Sequence, residues 1–279
     1  DMINFYDKEN NFIEPLAAKK HPVGDYLSLI AKLFSANYVI PFSSFHEYQR
    51  EDSVWANRYV TPMAEYKNGI HSDITFVEPF AFINSEKDGE IKSLPLKKNK
   101  LIVKKSEDFK DNWADVLEVD DKKIIKEYFD KFEELQDKIG FINFVVGKKD
   151  FNLKMKGPMD RGITFELPRN SLVDACKYSI FDDLLIGNFM KTQLHNLRSL
   201  YDPIINFNNI VPKYGDNGLA FTKEDLIMYE KEYAKRMGIE YFYDLFANQS
   251  KNYFKFFFKN YRHSKYYTKF RKYYYYFFR

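Results

Sequence analysis

Apolar residues recur with the periods of helices and strands through the middle of the chain. Ile124, Ile125, Tyr128, Phe129, Phe132 and Leu135 share one stripe, which predicts an amphipathic helix over Asp120–Lys138 with Gly140 as its stop. Phe141–Val146, Asp150–Met155 and Gly162–Leu167 read as three strands, the first pair joined through Gly147–Lys149. Pro168–Asn170 lead into a helix over Ser171–Tyr178, and a second helical stretch covers Asp182–Lys191. A third helix spans Thr222–Met237, with Thr222 as N-cap, Asp225 in the capping-box position and Gly238 as the stop. Strands followed by helices predict an α+β unit, placed at residues 106–245. Its expected core is Phe129, Phe132, Phe144, Phe165, Leu184 and Phe189.

The first third has a different grammar. Asp1–Tyr6 reads as a strand end, Asp7–Asn11 as a turn and Phe12–Leu16 as a short apolar segment. Tyr26, Leu27, Leu29, Ile30, Leu33 and Phe34 have helical spacing from Pro22 to about Ala36, and Tyr38–Phe42 follows as a strand. Ile74–Ile83 is strand-like but interrupted by Pro79, and Leu101–Val103 is a further short candidate. Strand, helix and strand in succession predict an α/β layered fold. Ser85–Lys105 is Lys-rich and broken by Asp88–Gly89 and Pro95, which sets a boundary for a first domain at residues 1–105. The chain enters a β-like run at Met2–Tyr6 with no lead-in, as the downstream part of a longer protein would.

Composition narrows the class. Hydrophobic residues at 45% and charged ones at 30% are those of a globular protein rather than a disordered one. No apolar run reaches the roughly 18–20 residues that cross a bilayer, and no signal peptide is visible, so a cytoplasmic protein is the default expectation. Cys176 is the one cysteine, which excludes an intrachain disulfide; it lies in an apolar helical pattern with Leu172, Val173 and Ala175, as a core residue would. No acidic residue follows Asp244, and residues 245–279 hold nine Lys/Arg. Removing those nine from the net +3 leaves −6 for the rest. The segment 246–279 therefore stands apart as a basic aromatic tail. Tyr253–Arg279 lacks Leu, Val, Ile and Ala, fits the residues that AT-rich codons encode, and is expected to add nothing to folding or to a site. Stacking on single-stranded nucleic acid or lying at a membrane surface are the other uses such a tail admits, and nucleic acid is not the expected partner.

Asn37–Pro62 concentrates the candidate chemistry. An apolar run breaks at Pro41 and Ser43–Ser44 and delivers His46, followed by Glu47, Gln49, Arg50, Asp52, Trp55, Asn57 and Arg58. Loops that leave a strand with this mixture form binding or catalytic edges, although an ordinary strand exit with a surface histidine fits the same residues. None of His21, His46, His71, His195 and His263 lies two or four residues from another, so no local HxH or HExxH metal pair exists. GxGxxG, GxxxxGK[ST] and GxSxG are absent. His195 reads as a cap, a surface residue or a ligand alike, and Asp182–Asp183 as helix N-terminal residues.

Asp1 at the head of DMINFYD, then a helix, then IPFSSFH ending in His46, resembles the closing half of a metallo-β-lactamase-fold domain. HEYQREDSVWAN is similar to the loop that follows the last histidine in the branch containing CMP-N-acetylneuraminate hydroxylase-like proteins. The resemblance covers about residues 1–105, and the family's HxHxDH cluster is missing from the chain. It implies an αββα layer followed by a smaller α+β domain, with Asp1 and His46 as late ligands of Zn²⁺ or Fe²⁺. Arg50 and Arg58 would pair with an anionic substrate and Trp55 would wall the site. Such a chain would be the C-terminal portion of a metal-dependent hydrolase, inactive without an upstream domain of the same protein. The second unit resembles sterol-carrier-type α+β domains, which keeps open a different class: a non-enzymatic module that binds a lipid or a protein partner.

Overall fold

Alternation within Phe141–Val146 sets the fold: Ile142, Phe144 and Val146 are buried, while Phe141, Asn143 and Val145 are half-buried on the other side. The computed structural model describes residues 2–15, 23–42, 46–84, 86, 90–94, 100–202, 204–215, 218 and 220–242. In chain order the elements are β1 (Phe5–Tyr6), α1 (Val23–Leu33), β2 (Tyr38–Val39), a 3₁₀ turn at Val54–Tyr59, α2 (Met63–Tyr66), β3 (Thr75–Phe76), β4 (Ala81–Asn84) and β5 (Glu90–Ser93). A second 3₁₀ turn at Ser106–Phe109 precedes α3 (Val119–Asp130), α4 (Glu133–Gln136), β6 (Phe141–Val146), β7 (Lys149–Lys154), β8 (Gly162–Glu166), α5 (Arg169–Tyr178), α6 (Phe181–Gly187) and β9 (Lys191–His195). Then come α7 (Phe207–Ile210), a 3₁₀ turn at Val211–Tyr214 and α8 (Lys223–Met237).

The main sheet runs β1-β9-β8-β6-β7. β1 pairs parallel with β9 and β6 parallel with β8, whereas β6–β7 and β8–β9 are antiparallel, so the protein is mixed α/β. Gly147 and Lys148 both have positive φ in the two-residue β6–β7 turn, the backbone that matches strand twist. One sheet face meets α3, α5 and α6 through an aromatic core. The Phe181 ring lies within 6.4 Å of Tyr128, Phe129, Phe144, Phe165 and Phe207, centroid to centroid. Phe129, Phe132, Phe144, Phe165 and Leu184 are buried as the helical stripe and strand runs predict, whereas Phe189 is half-buried. Cys176 is buried in α5. The alternate sheet positions, among them Asn143, Thr164, Glu166, Lys191 and Gln193, make the opposite face polar.

Several elements differ from their sequence reading. The predicted helix over 120–138 breaks at Phe132, whose ψ of 62° leaves the helical region while its ring is buried against Phe129 and Tyr214. The stretch expected to be helical to Lys191 ends at Gly187, where Asn188 takes the left-handed conformation, and residues from Lys191 instead form β9. Leu101–Val103 is not a strand; Lys104 next to it bridges Arg50. β1 and β2 lie in different sheets, so the strand-helix-strand run does not make one layer.

The described residues fall into two compact units, the first ending before Ala220 and the second beginning with it. The boundary expected at 105 falls inside the first, because β1 pairs with β9 and Arg50 pairs with Asp111. In the second unit, α8 has the predicted capping box: Thr222 Oγ1 accepts from the Asp225 N–H, and Asp225 accepts from the Thr222 N–H. The basic aromatic tail at 246–279 lies outside the described residues.

The N-terminus of α3 carries a pH-dependent clasp. Burial works against the Asp121 charge, but Arg169 donates Nε at 2.6 Å and the Glu118 N–H donates at 2.8 Å, and the net result holds the carboxyl below the usual carboxylate range. With the folded value depressed, the stabilisation is present above the unfolded value of about 3.9 and is lost as pH falls through the folded value. Asp121→Asn is expected to flatten the acid limb of stability below about pH 4, read as denaturant midpoint against pH. An unchanged slope in the variant would refute the assignment.

Candidate functional site

The segment after His46 is built around Arg50. Backbone bonds from Glu51 N–H to Lys104 O and from Lys104 N–H to Gln49 O fix its position. Its guanidinium grips Asp52 with Nε at 2.8 Å and Nη2 at 3.1 Å, and reaches Asp111 with Nη1 at 2.6 Å. The Phe189 ring lies 3.9 Å from its central carbon. Asp111, 1% exposed, also accepts from the Ser171 N–H and hydroxyl. A forked donor between two carboxylates is the arrangement for which arginine is suited. Arg50, expected at the substrate, is therefore committed to an internal network.

That network aims two indoles. Trp55 Nε1 donates to the Asp52 carbonyl at 3.0 Å and Trp113 Nε1 to the Asp52 carboxylate at 2.9 Å. Ser106 Oγ donates to the same carboxylate. The 3₁₀ turn at Val54–Tyr59 has nearly three residues per turn, so Trp55 and Arg58 share one side of it. Arg58 lies 4.7 Å above the Tyr59 ring and 5.5 Å from that of Trp55. Phe12 meets the Trp55 ring edge-on at 6.0 Å and Tyr6 at 5.6 Å, extending the aromatic wall to β1.

These walls line an open cavity of about 600 Å³. The polar sheet face lines the other side with Asn4, Glu166 and Lys191. Glu166 on β8 and Lys191 on β9 are direct cross-strand partners, and the Lys191 ammonium lies 4.4 Å over the Tyr6 ring. Among the described residues neither Arg58 nor Lys191 is ion-paired. The cavity thus offers two cations not ion-paired among the described residues, each above an aromatic ring, beside two carboxylates: Glu166, and Asp52, which Arg50 already holds.

His46 lies elsewhere. It is exposed, its ring edge-on to Tyr48 at 4.9 Å, and it lines a separate small cavity with Tyr48, Tyr59, Thr61 and Tyr66. Asp1 is outside the described residues, so its approach to His46 is too. The polar side chains that line this cavity beside His46 are, among the described residues, phenols and a hydroxyl, with no second imidazole and no carboxylate. Among the described residues no three His, Cys, Asp or Glu side chains converge. No helix there is long and apolar enough to cross a membrane. His195 sits on the polar sheet face with Nε2 3.0 Å from Thr164 Oγ1, and burial lowers its pKa, so it is neutral near pH 7.

Of the residues singled out in sequence, Trp55 and Arg58 line the large cavity and Arg50 braces it from behind. Tyr6, Phe12, Trp113, Glu166 and Lys191 were not singled out. The alternation of Gly162–Leu167 already puts Glu166 on the polar face, whereas Lys191 was hidden by the helical reading. Comparison with known proteins finds no matching family model, no matching curated protein and no matching solved structure.

Proposed function

We propose that the first unit is a small-molecule binding module whose ligand is an organic anion with a flat ring. One observation carries this reading: Arg58 and Lys191, uncommitted among the described residues, both line the aromatic cavity. Rings pre-organised by Asp52 supply apolar area at little ordering cost, and the cations supply charge-assisted hydrogen bonds. Trp55 and Trp113 are the chain's two tryptophans, so indole emission reports on the cavity alone. Phenyl phosphate and benzoate are expected to change that emission saturably, and added salt to weaken them. Arg58→Gln is expected to weaken phenyl phosphate about tenfold, the effect of one charge-assisted bond. No emission change with either anion would end this reading.

Metallo-β-lactamase-like layering and metal-dependent hydrolysis, with Asp1 and His46 as ligands, rest on the likeness of the sequence alone. Metal content tests them: stoichiometric Zn or Fe in the purified chain extended upstream, lost on His46→Ala, would support that proposal.

A further inference from the structure

We infer that the anion held in this cavity is a nucleoside monophosphate; the inference rests on the anion-binding reading above and adds the ligand's class. Both indole N–H groups are spent on Asp52, so Trp55 and Trp113 present ring surface and no donor. Such walls read a planar group by stacking, and every nucleobase offers a π-face to stack on them. Arg58 and Lys191 arrive from different elements, a turn and a strand, and bring two positive charges to one cavity. Two cations match a phosphate monoester, which carries about −1.5 to −2 at neutral pH, better than a singly charged carboxylate.

The third part of the ligand is set by acceptors. Glu166 lies directly across from Lys191, and Asn4 spends its amide N–H on the Asn188 carbonyl at 3.0 Å. No hydrogen bond to the Asn4 amide oxygen or the Glu166 carboxylate is made among the described residues. A carboxylate beside the phosphate-binding ammonium repels a bare anion and favours one that brings hydroxyl donors next to its phosphate. Ribose does so. Base, ribose and phosphate then match walls, acceptors and cations within a volume in the usual range for such ligands.

The test is an indole-emission titration of the full chain with AMP, adenosine, ribose phosphate and phenyl phosphate. AMP is expected to bind about tenfold or more tighter than adenosine or ribose phosphate, since each lacks one anchored part. Arg58→Gln and Lys191→Met are each expected to weaken AMP about tenfold and adenosine little. Neither side chain is in the buried core, and an unchanged circular dichroism spectrum confirms that the variants fold. AMP should exceed its dideoxyribose analogue about fivefold, and Glu166→Ala should erase that gap. If phenyl phosphate binds and AMP is no tighter, the nucleotide assignment falls while the anion reading stands. If no anion binds, both fall. A short oligoriboadenylate separates the sources of the ligand: binding no tighter than AMP is expected, and about tenfold tighter binding would overturn a free mononucleotide in favour of a strand end.

Discussion

Arg50→Ala is expected to destabilise the first unit by about 3–5 kcal/mol, the cost of leaving a buried charge without its partner. The Asp111 side chain is fully enclosed and that of Arg50 nearly so, so solvent screening does little to soften the loss. Asp52 would lose both of its guanidinium bonds, and with them the fixed platform that orients Trp55 and Trp113. Arg50→Lys should recover only part, because an ammonium cannot reproduce the fork that spans two carboxylates. Urea unfolding followed by indole emission gives the number. A loss below about 1 kcal/mol, the value of a surface pair, would show that the network is dispensable.

The second large effect lies in the core. Phe181→Ala removes the ring that touches five others, and an expected cost of about 3–5 kcal/mol combines lost burial with the cavity left between sheet and helices. Phe82, more than half exposed on β4, provides the contrast: Phe82→Ala should stay within about 0.5 kcal/mol. Equal midpoints for the two variants would mean that the aromatic cluster is not the centre of the fold.

What the sequence made legible was local chemistry. The capping box of α8 involves Thr222 and Asp225 alone, and the β6–β7 hairpin follows from alternation on either side of Gly147. β9 was illegible because the apolar run through Leu184, Leu185 and Ile186 carried the helical reading past Gly187 and Asn188, where Asn188 takes the left-handed backbone that ends α6. The strand is then recruited by pairing with β8 and with β1, more than 180 residues earlier in the chain. The candidate site divides in the same way. Trp55 and Arg58 drew attention through the density of unlike side chains around them. Tyr6, Trp113, Glu166 and Lys191 acquire meaning only when separate elements meet. Arg50 was legible as a residue of consequence but not in its direction, since a guanidinium that braces a loop and one that greets a substrate look alike in sequence. The domain boundary at 105 misread a Lys-rich stretch as a linker, when long-range pairing across it decides what folds together.

Cys176, the chain's single thiol, is 4% exposed in α5, and burial pushes its ionisation well above the ordinary thiol range. Only the thiolate attacks an alkylating reagent, so the native protein should resist labelling and react when α5 lifts from the sheet. With reagent in the regime where reclosing outpaces modification, the labelling rate gives the population of that lifted state directly. The chain thus writes into one covalent adduct, readable by mass, how often its helical layer leaves the sheet.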